Sequence, residues 1–338
     1  MKELRYIAKT ENIVLYKDNY YFVPVDMNYL FKMSKDLMSV EPLVRLNDNT
    51  IDNLYAEIVA YEDKLFLVPK MASEIAVYDL LRDEIKYFHL ADKSVDRNKG
   101  SLFLSSLIVE DCLYLIPTNY TRIVCVNMLT TAVKEIPVAH GGMICDGIAA
   151  VKDEKIWIPD CDENNIIIYD IQKQSIEYLF PQKLDFSCNI VMDCGEYVML
   201  QSFDLNAPTI QYYLNTNESI IISNKDETDR RAWKGTIINN YLYLITTESG
   251  TILKINNEAE REFLSRNTFI SFPENAEQWE INERQVYLFE RENRIHLVNG
   301  VTAEWYSYDS DEWKIETVYG DIKCDNCIRL DYGILPLI

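Results

Sequence analysis

The sequence predicts an all-β fold, a β-propeller of seven four-stranded blades, and three observations lead to this prediction. One short apolar segment recurs seven times along the 338 residues. Within each repeat, apolar and polar residues alternate with a period of two, which is typical of strands and not of amphipathic helices. Successive repeats lie 42 to 53 residues apart, which leaves room for the four short antiparallel strands of a propeller blade.

The recurring segment is the most regular strand of each repeat. It reads NYYFVP to Pro24, KLFLVP to Pro69, CLYLIP to Pro117, EKIWIP to Pro159, EYVMLQ to Gln201, YLYLIT to Thr246 and RIHLVN to Asn299. Proline cannot donate a hydrogen bond to a strand ladder, so the four prolines are expected to mark the end of this strand.

Two sets of side chains on this strand should be buried. The first set shares one position in every repeat and consists of Tyr21, Phe66, Tyr114, Ile156, Val198, Tyr243 and His296. The second set follows one residue later, on the opposite face of the sheet, and consists of Phe22, Leu67, Leu115, Trp157, Met199, Leu244 and Leu297. Both faces of a blade pack against neighbouring blades, so both sets should be largely buried.

Three further strands complete each repeat. About ten residues after the recurring segment, a second alternating run often closes on Asp or Asn, as in EIAVYD to Asp79, RIVCVN to Asn127 and NIIIYD to Asp170. A third run follows it, as in EIKYFHL, and a fourth precedes the recurring segment, as in SSLIVED. The stretch DCLYLIPTNYTRIVCVN, residues 111–127, is therefore predicted to be the middle hairpin of the third blade.

This layout resembles that of Kelch-type and related bacterial β-propellers. The resemblance rests on segments such as AVYDLLRDEIKYF and YSYDSDEWKIETV, in which a strand ending in Tyr-Asp leads into the next strand. It covers almost the whole chain and implies the propeller fold. The double glycine that closes the second Kelch strand is absent, and Pro24, Pro69, Pro117 and Pro159 stand in its place.

The two ends of the chain leave an alternative open. Seven repeats run from about Asn12 to Val318, and strand-like segments remain at both termini. Residues 327–331 and 334–338 could form the first two strands of an eighth, incomplete blade, with the N-terminal segment completing its outer side. Such a blade would hide the open edges of the sheet. In either case the chain is predicted to be one domain spanning residues 1–338.

Composition narrows the classes of partner. The chain has 33 basic and 54 acidic residues, a net charge of −21, which disfavours nucleic acid and anionic membranes because both require a basic surface. Eight irregularly spaced cysteines are typical of reduced core residues and not of a disulfide framework. The N-terminus lacks the pattern of a signal peptide, and no apolar run is long enough to cross a bilayer. We therefore expect a cytoplasmic monomer.

Candidate ligand-binding residues lie in loops that a propeller brings to one face. The most irregular loop, AHGGMICDG at 139–147, carries His140 and Asp146. One interpretation is that its glycines let the backbone approach a ligand while His140 or Asp146 binds it or moves a proton. The other is a tight turn with a surface histidine, which we favour because the sequence pairs neither residue with a base or nucleophile.

Two other segments have a functional and a plainer interpretation. PDCDENN, with Asp160, Asp162 and Glu163, has oxygen ligands for Ca²⁺ but lacks the glycine and distal Glu of an EF-hand, so a solvated acidic turn is favoured. CDNC, with Cys324 and Cys327, could be redox-active or half of a zinc site, but no second pair is present to complete such a site, so two cysteines near a terminus without a special role are favoured. No metal and no cofactor are predicted.

DRRAWKG at 229–235 and DRNKG at 96–100 are basic loops of an acidic protein. Arg230, Arg231, Lys234 and Arg97 could hold a carboxylate or phosphate, with Trp233 stacking on a sugar or base. Local ion pairs with acidic loops are the plainer interpretation.

Two functions follow as hypotheses. The first is a non-enzymatic binding or scaffold propeller that presents its loops to a protein or peptide partner, because no catalytic motif is found. The alternative is a lyase or hydrolase acting on a small or glycan-like substrate, with Arg122, His140, Asp146 and Arg231 as its candidate residues. Fold alone does not choose between them.

Overall fold

The structure is a computed structural model, and it describes most of the chain. The described residues are 4–6, 13–24, 27–34, 40–47, 53–91, 100–138, 142–179, 186–222, 232–238, 241–246, 251–256, 268–273, 286–291, 294–299, 305–309, 312–315, 320–322, 327–330 and 333–336. Every regular element in this part of the chain is a β-strand.

The chain divides into two compact units. The first comprises Met1–Lys93, Gly100–Leu102 and Glu283–Ile338, and the second comprises Ser94–Lys99 and Phe103–Asn282. The strands of the first unit are β1 (Leu4–Tyr6), β2 (Val14–Tyr16), β3 (Asn19–Phe22), β4 (Tyr29–Ser34), β5 (Val40–Arg45), β6 (Tyr55–Tyr61), β7 (Lys64–Pro69), β8 (Glu74–Asp79), β9 (Glu84–His89), β26 (Val286–Arg291), β27 (Arg294–Asn299), β28 (Trp305–Asp309), β29 (Glu312–Ile315), β30 (Gly320–Ile322), β31 (Cys327–Leu330) and β32 (Gly333–Pro336).

The second unit contains the strands between these. They are β10 (Phe103–Val109), β11 (Cys112–Pro117), β12 (Arg122–Asn127), β13 (Val133–Pro137), β14 (Ala150–Lys152), β15 (Lys155–Asp160), β16 (Asn165–Asp170), β17 (Ser175–Leu179), β18 (Ile190–Asp193), β19 (Tyr197–Gln201), β20 (Thr209–Tyr213), β21 (Glu218–Ile222), β22 (Ala232–Ile238), β23 (Tyr241–Thr246), β24 (Thr251–Asn256) and β25 (Thr268–Ser271). That one domain spans residues 1–338 stays a prediction.

Seven sheets of four consecutive antiparallel strands confirm the predicted blades. Blade 1 is β2–β5, blade 2 is β6–β9, blade 3 is β10–β13, blade 4 is β14–β17, blade 5 is β18–β21, blade 6 is β22–β25 and blade 7 is β26–β29. We call the four strands of a blade A to D in chain order. The fold is a seven-bladed β-propeller, and residues 111–127 are the middle hairpin of blade 3 as predicted.

One pairing between strands B and C recurs in three consecutive blades. In blades 2, 3 and 4, the first residue of strand B pairs with the Asp or Asn that ends strand C: Lys64 with Asp79, Cys112 with Asn127 and Lys155 with Asp170. Both predicted sets of strand B side chains are buried wherever the structure describes them. His296 is the one member whose side chain lies outside the described residues.

The Asp or Asn that ends strand C closes the next turn. Asp79 Oδ1 accepts hydrogen bonds from the backbone N–H groups of Leu81 and Arg82, both at 3.0 Å, and Asp170 Oδ1 accepts one from Lys173 at 2.9 Å. Such bonds stabilise a turn by giving its free N–H groups a partner. The recurring Tyr-Asp pattern is therefore a feature of the fold and not of a binding site.

Apolar side chains from neighbouring blades form the cores. In the first unit, Leu65 and Leu67 of blade 2 pack with Tyr21 and Leu30 of blade 1. In the second unit, three such clusters join blade 3 to blade 4, blade 4 to blade 5, and blade 5 to blade 6. Burial between blades explains why both faces of strand B are apolar.

Among the described strands, the incomplete eighth blade is not formed as proposed from the sequence. The hairpin at the C-terminus is present, because β31 pairs with β32. The N-terminal strand β1, however, pairs with β30 in a separate two-stranded sheet. Strand pairing therefore gives two small sheets in place of one shared blade.

Within the described residues, no helix is both long and apolar enough to span a membrane.

Candidate functional site

Loops of the second unit meet at one end of blades 3 to 6. These are the B–C loops at 118–121, 161–164 and 202–208, and the loops 142–149 and 186–189 that lead into strand A of the next blade. We call them together the loop face. Backbone hydrogen bonds join them in sequence: Ile144 N–H to Thr118 O at 2.8 Å, Cys161 N–H to Ile144 O at 2.9 Å, and Ala232 N–H to Phe203 O at 2.7 Å.

Gly147 lets two chain segments come into contact at this face. Ile148 N–H donates to Asn189 O at 2.9 Å, and Val191 N–H donates to Ile148 O at 2.8 Å, which forms a parallel bridge between Ile148 and Ile190. A Cβ atom on residue 147 would lie 1.9 Å from Asn189 O, so no other residue fits. The glycine thus allows a close approach of backbone to backbone.

Asp146 is the centre of a partly buried polar network that joins blade 4 to blade 5. Its Oδ1 accepts hydrogen bonds from Cys161 Sγ at 2.9 Å and from Asn189 Nδ2 at 2.8 Å. Asn189 Oδ1 in turn accepts the backbone N–H of Phe203 at 2.9 Å. Asn189 is 7% exposed, and these partly buried bonds hold four loops in one arrangement.

Three thiols surround this network and are kept protonated. Burial raises the pKa of the Cys145 and Cys161 thiols well above the ordinary range, and the nearby Asp146 carboxylate adds to the shift. Burial likewise raises the pKa of Cys188 to about 12. A thiolate is the nucleophilic form of cysteine, so these three side chains are suited to packing and to donating hydrogen bonds, not to covalent catalysis.

The raised pKa of Cys188 predicts slow alkylation of the folded protein. At pH 8, a pKa of about 12 in place of the ordinary 9.0 leaves about a thousand-fold less thiolate. Iodoacetamide labelling at pH 8, followed by peptide mass spectrometry, should therefore modify Cys188 far more slowly than the half-buried Cys112. In urea both should react at similar rates. Equal labelling rates in the folded protein would contradict the buried position of Cys188.

The acidic side chains of the B–C loop of blade 4 are bonded to backbone groups. Asp162 Oδ2 accepts the N–H of Met143 at 2.8 Å, and Asp160 Oδ1 accepts the N–H of Glu163 at 3.1 Å. Within the part of the chain that the structure describes, no three His, Cys, Asp or Glu side chains are placed to hold a metal ion. These carboxylates therefore order the loop.

Arg122 is engaged within its own blade. Its Nε lies 3.6 Å from Glu135 Oε2, and the same oxygen accepts the hydroxyl of Tyr120 at 2.8 Å. The Arg122 side chain is about one-third exposed. Arg122 and Asp146 thus belong to separate sets of contacts, each of which stabilises the loop face.

The remaining predicted site residues are placed only in part. His140, Arg230 and Arg231 lie outside the described residues, as do Arg97 and Cys324. Trp233 and Lys234 lie on β22 and Cys327 begins β31, but their side chains are not among those described. Their roles stay predictions.

Sequence reasoning missed Asn189 and Cys161 as parts of the network. The loops AHGGMICDG and PDCDENN were both noticeable in the sequence, but nothing local joins them. Asn189 is separated from Asp146 by 43 residues, and the segment SCNI that contains it has no unusual composition. One signal was present in the sequence: each of these three segments contains a cysteine, namely Cys145, Cys161 and Cys188.

Comparison with known proteins gives the fold and no family. No protein-family model matches the sequence, and no curated protein matches it. Solved structures do match. Virginiamycin B lyase from Staphylococcus aureus has a TM-score of 0.61 at 11% identity, over 88% of this chain and 96% of the lyase. BamB from Moraxella catarrhalis has a TM-score of 0.52 at 12% identity, over 86% of this chain and 80% of BamB.

A chain of the mitotic checkpoint complex is also similar, with a TM-score of 0.57 at 9% identity, over 94% of this chain and 91% of that chain. The neighbours therefore include an enzyme and a component of a protein complex. Their sequence identities to this chain are too low to indicate more than a shared fold. The chain is similar to β-propellers in general, and its finer resemblance to Kelch-type proteins stays a prediction.

Proposed function

We propose that this protein is a cytoplasmic, non-enzymatic binding module whose loop face holds a protein or peptide partner. The observation that carries the proposal is the network around Asp146, in which the carboxylate is bonded to Cys161 and Asn189. A general base needs a free position toward its substrate, and a nucleophile needs an ionised or activated form. Here Asp146 Oδ1 already accepts from two side chains, and the Cys161 thiol that donates to it is kept protonated.

A loop face of this kind favours binding for an energetic reason. Ordering mobile loops on association costs free energy, so loops that are already held by buried hydrogen bonds bind with a smaller cost. The outward side chains of the face are polar: Asp162, Glu163, Asp204 and Asn206 are exposed. A partner with a basic contact surface would complement them and would be attracted by the net charge of −21.

The alternative, a lyase or hydrolase, has less support from the described residues. It needs Arg122 and Asp146 directed at one substrate, and each is held in its own set of contacts. His140 and Arg231, the other two candidates, are not described. The similarity to virginiamycin B lyase concerns the fold.

Affinity capture with two matched variants tests the proposal. Glu163 is exposed on the loop face, and Glu196 is exposed in the A–B turn of blade 5, at the other end of a blade of the same unit. Glu163→Arg and Glu196→Arg make the same change of charge. From a lysate of the source cells, wild type and Glu196→Arg should recover the same protein in stoichiometric amount, and Glu163→Arg should recover at least about ten-fold less.

Two results would overturn the proposal. One is a partner that both variants retain equally, which would place the contact elsewhere. The other is the absence of any stoichiometric protein, together with a small molecule that co-purifies with the chain and is converted by it. The second result would favour the enzyme.

A further inference from the structure

The outermost strand of blade 5 exposes apolar side chains. β21 reads ESIII, and after Glu218 it carries neither a charge nor a proline. Ile220 is 37% exposed and Ile221 is 56% exposed. Consecutive strand residues point to opposite sides of a sheet, so apolar surface is exposed on both sides of this strand.

The corresponding strands of four other blades carry the features that prevent edge-to-edge pairing. Charged side chains and proline on an edge strand disfavour the addition of another strand. They are present as Glu41 and Pro42 in β5, Glu84 and Lys86 in β9, Lys134 and Pro137 in β13, and Glu177 in β17. β25 of blade 6 also lacks them, but its Ile270 is buried, whereas β21 exposes two isoleucines.

Among the strands that the structure describes, β21 pairs with β20 alone, which leaves its other edge for strand addition. It is the last strand in the order β18-β19-β20-β21, and it pairs with β20 along its whole length, from Glu218 to Ile222. The backbone groups on its other side alternate between N–H and C=O and are the template that strand addition uses. Main-chain hydrogen bonds would supply affinity, and Ile220 and Ile221 would supply apolar contacts.

We infer that the β21 edge binds an extended, basic peptide segment of another protein, which adds to blade 5 as a fifth antiparallel strand. The choice of a basic segment follows from charge. The chain carries a net charge of −21, and Glu218 is exposed at the start of β21. A second copy of this chain would bring the same negative charge to the edge, and like charges oppose such contact. The inference does not depend on a partner at the loop face.

Fluorescence anisotropy with a synthetic peptide tests this inference. The probe is a short labelled peptide in which valine and lysine alternate, and two control peptides replace lysine by glutamate or carry N-methylated valines. The lysine peptide should bind saturably. The glutamate peptide should not bind because of its charge, and the N-methylated peptide should not bind because it lacks the N–H donors of strand addition.

Two variants of the protein locate the site. Ile221→Lys should weaken binding of the lysine peptide at least about ten-fold, because it places a charge on the edge. Leu81→Lys makes the same change of charge at a turn side chain of blade 2 that is 76% exposed, and it should leave the affinity unchanged. Glu163→Arg should also have little effect, which separates this edge from the loop face.

Three outcomes would overturn the inference. Equal binding by wild type and Ile221→Lys, or binding of the N-methylated peptide, would indicate unspecific attraction by charge. No binding of the lysine peptide would exclude a basic segment at this edge. A wild-type dimer in sedimentation experiments that Ile221→Lys dissociates would show that a second copy occupies the edge.

Discussion

Leu115→Asp is expected to lower the free energy of unfolding by about 4 kcal/mol or more, enough to unfold many single domains. Leu115 is completely buried and lies on β11, between Ser106 of β10 and Val124 of β12. An aspartate there would place a charge in an apolar environment without a partner. Urea denaturation followed by circular dichroism measures the loss, together with the yield of soluble protein.

Two further variants keep this prediction testable if Leu115→Asp does not fold. Leu115→Ala should cost about 3 kcal/mol through lost burial and a cavity. Leu81→Asp, at a side chain that is 76% exposed, should change the free energy of unfolding by less than about 0.5 kcal/mol. If Leu115→Asp unfolds at the urea concentration of the wild type, strand B does not lie between blades.

The burial of Leu115 could be predicted from the sequence because it depends on a local pattern. Alternation fixes which side chains share a face of the strand, and the repeat fixes which strands are equivalent. The same logic correctly placed Trp157 and Met199, which are 2% and 1% exposed. Because one pattern recurs seven times, the number of blades and the order of their strands could also be predicted.

The loop face could not be predicted in the same way, because its contacts join segments that are distant in the sequence. Asp146 meets Asn189 only when blades 4 and 5 are side by side, and neither residue belongs to a repeated pattern. The termini posed the same problem. Four-residue strands such as β31 and β32 pair according to which neighbour is available in space, and composition does not specify that neighbour.

The cysteines illustrate both what the sequence predicts, which is burial, and what it does not predict, which is contacts between distant segments. Their apolar surroundings predicted core residues, which is confirmed for three of the six described cysteines; the other three are partly exposed, and all six are free. The position of Cys161 beside the Asp146 carboxylate was not foreseeable, because the two lie on different loops. A sequence can thus indicate that a side chain is buried without indicating which polar group it will bond.

Gly147→Ala is expected to cost about 3 kcal/mol, because overpacking of a tight site forces the backbone to move. The added Cβ would lie 1.9 Å from Asn189 O, so the segments bridged by Ile148 and Ile190 must separate. That movement would also weaken the hydrogen bond between Asp146 and Asn189. Urea denaturation measures the stability, and faster alkylation of Cys161 and Cys188 would report that the loop face has opened.

Gly195→Ala is the matched control for this prediction. Gly195 has a φ of 76°, and no atom lies within 4 Å of the position its Cβ would take. Alanine there should cost about 1 kcal/mol, because an L-residue is strained in the left-handed region, and it should leave the alkylation of Cys161 and Cys188 unchanged. Gly147→Ala tests the effect of lost space around a glycine, and Gly195→Ala tests the effect of a backbone conformation that favours glycine. If Gly147→Ala is no more destabilising than Gly195→Ala, the close contact between blades 4 and 5 at Asn189 is wrong, and the arrangement of the loop face that depends on it is wrong too.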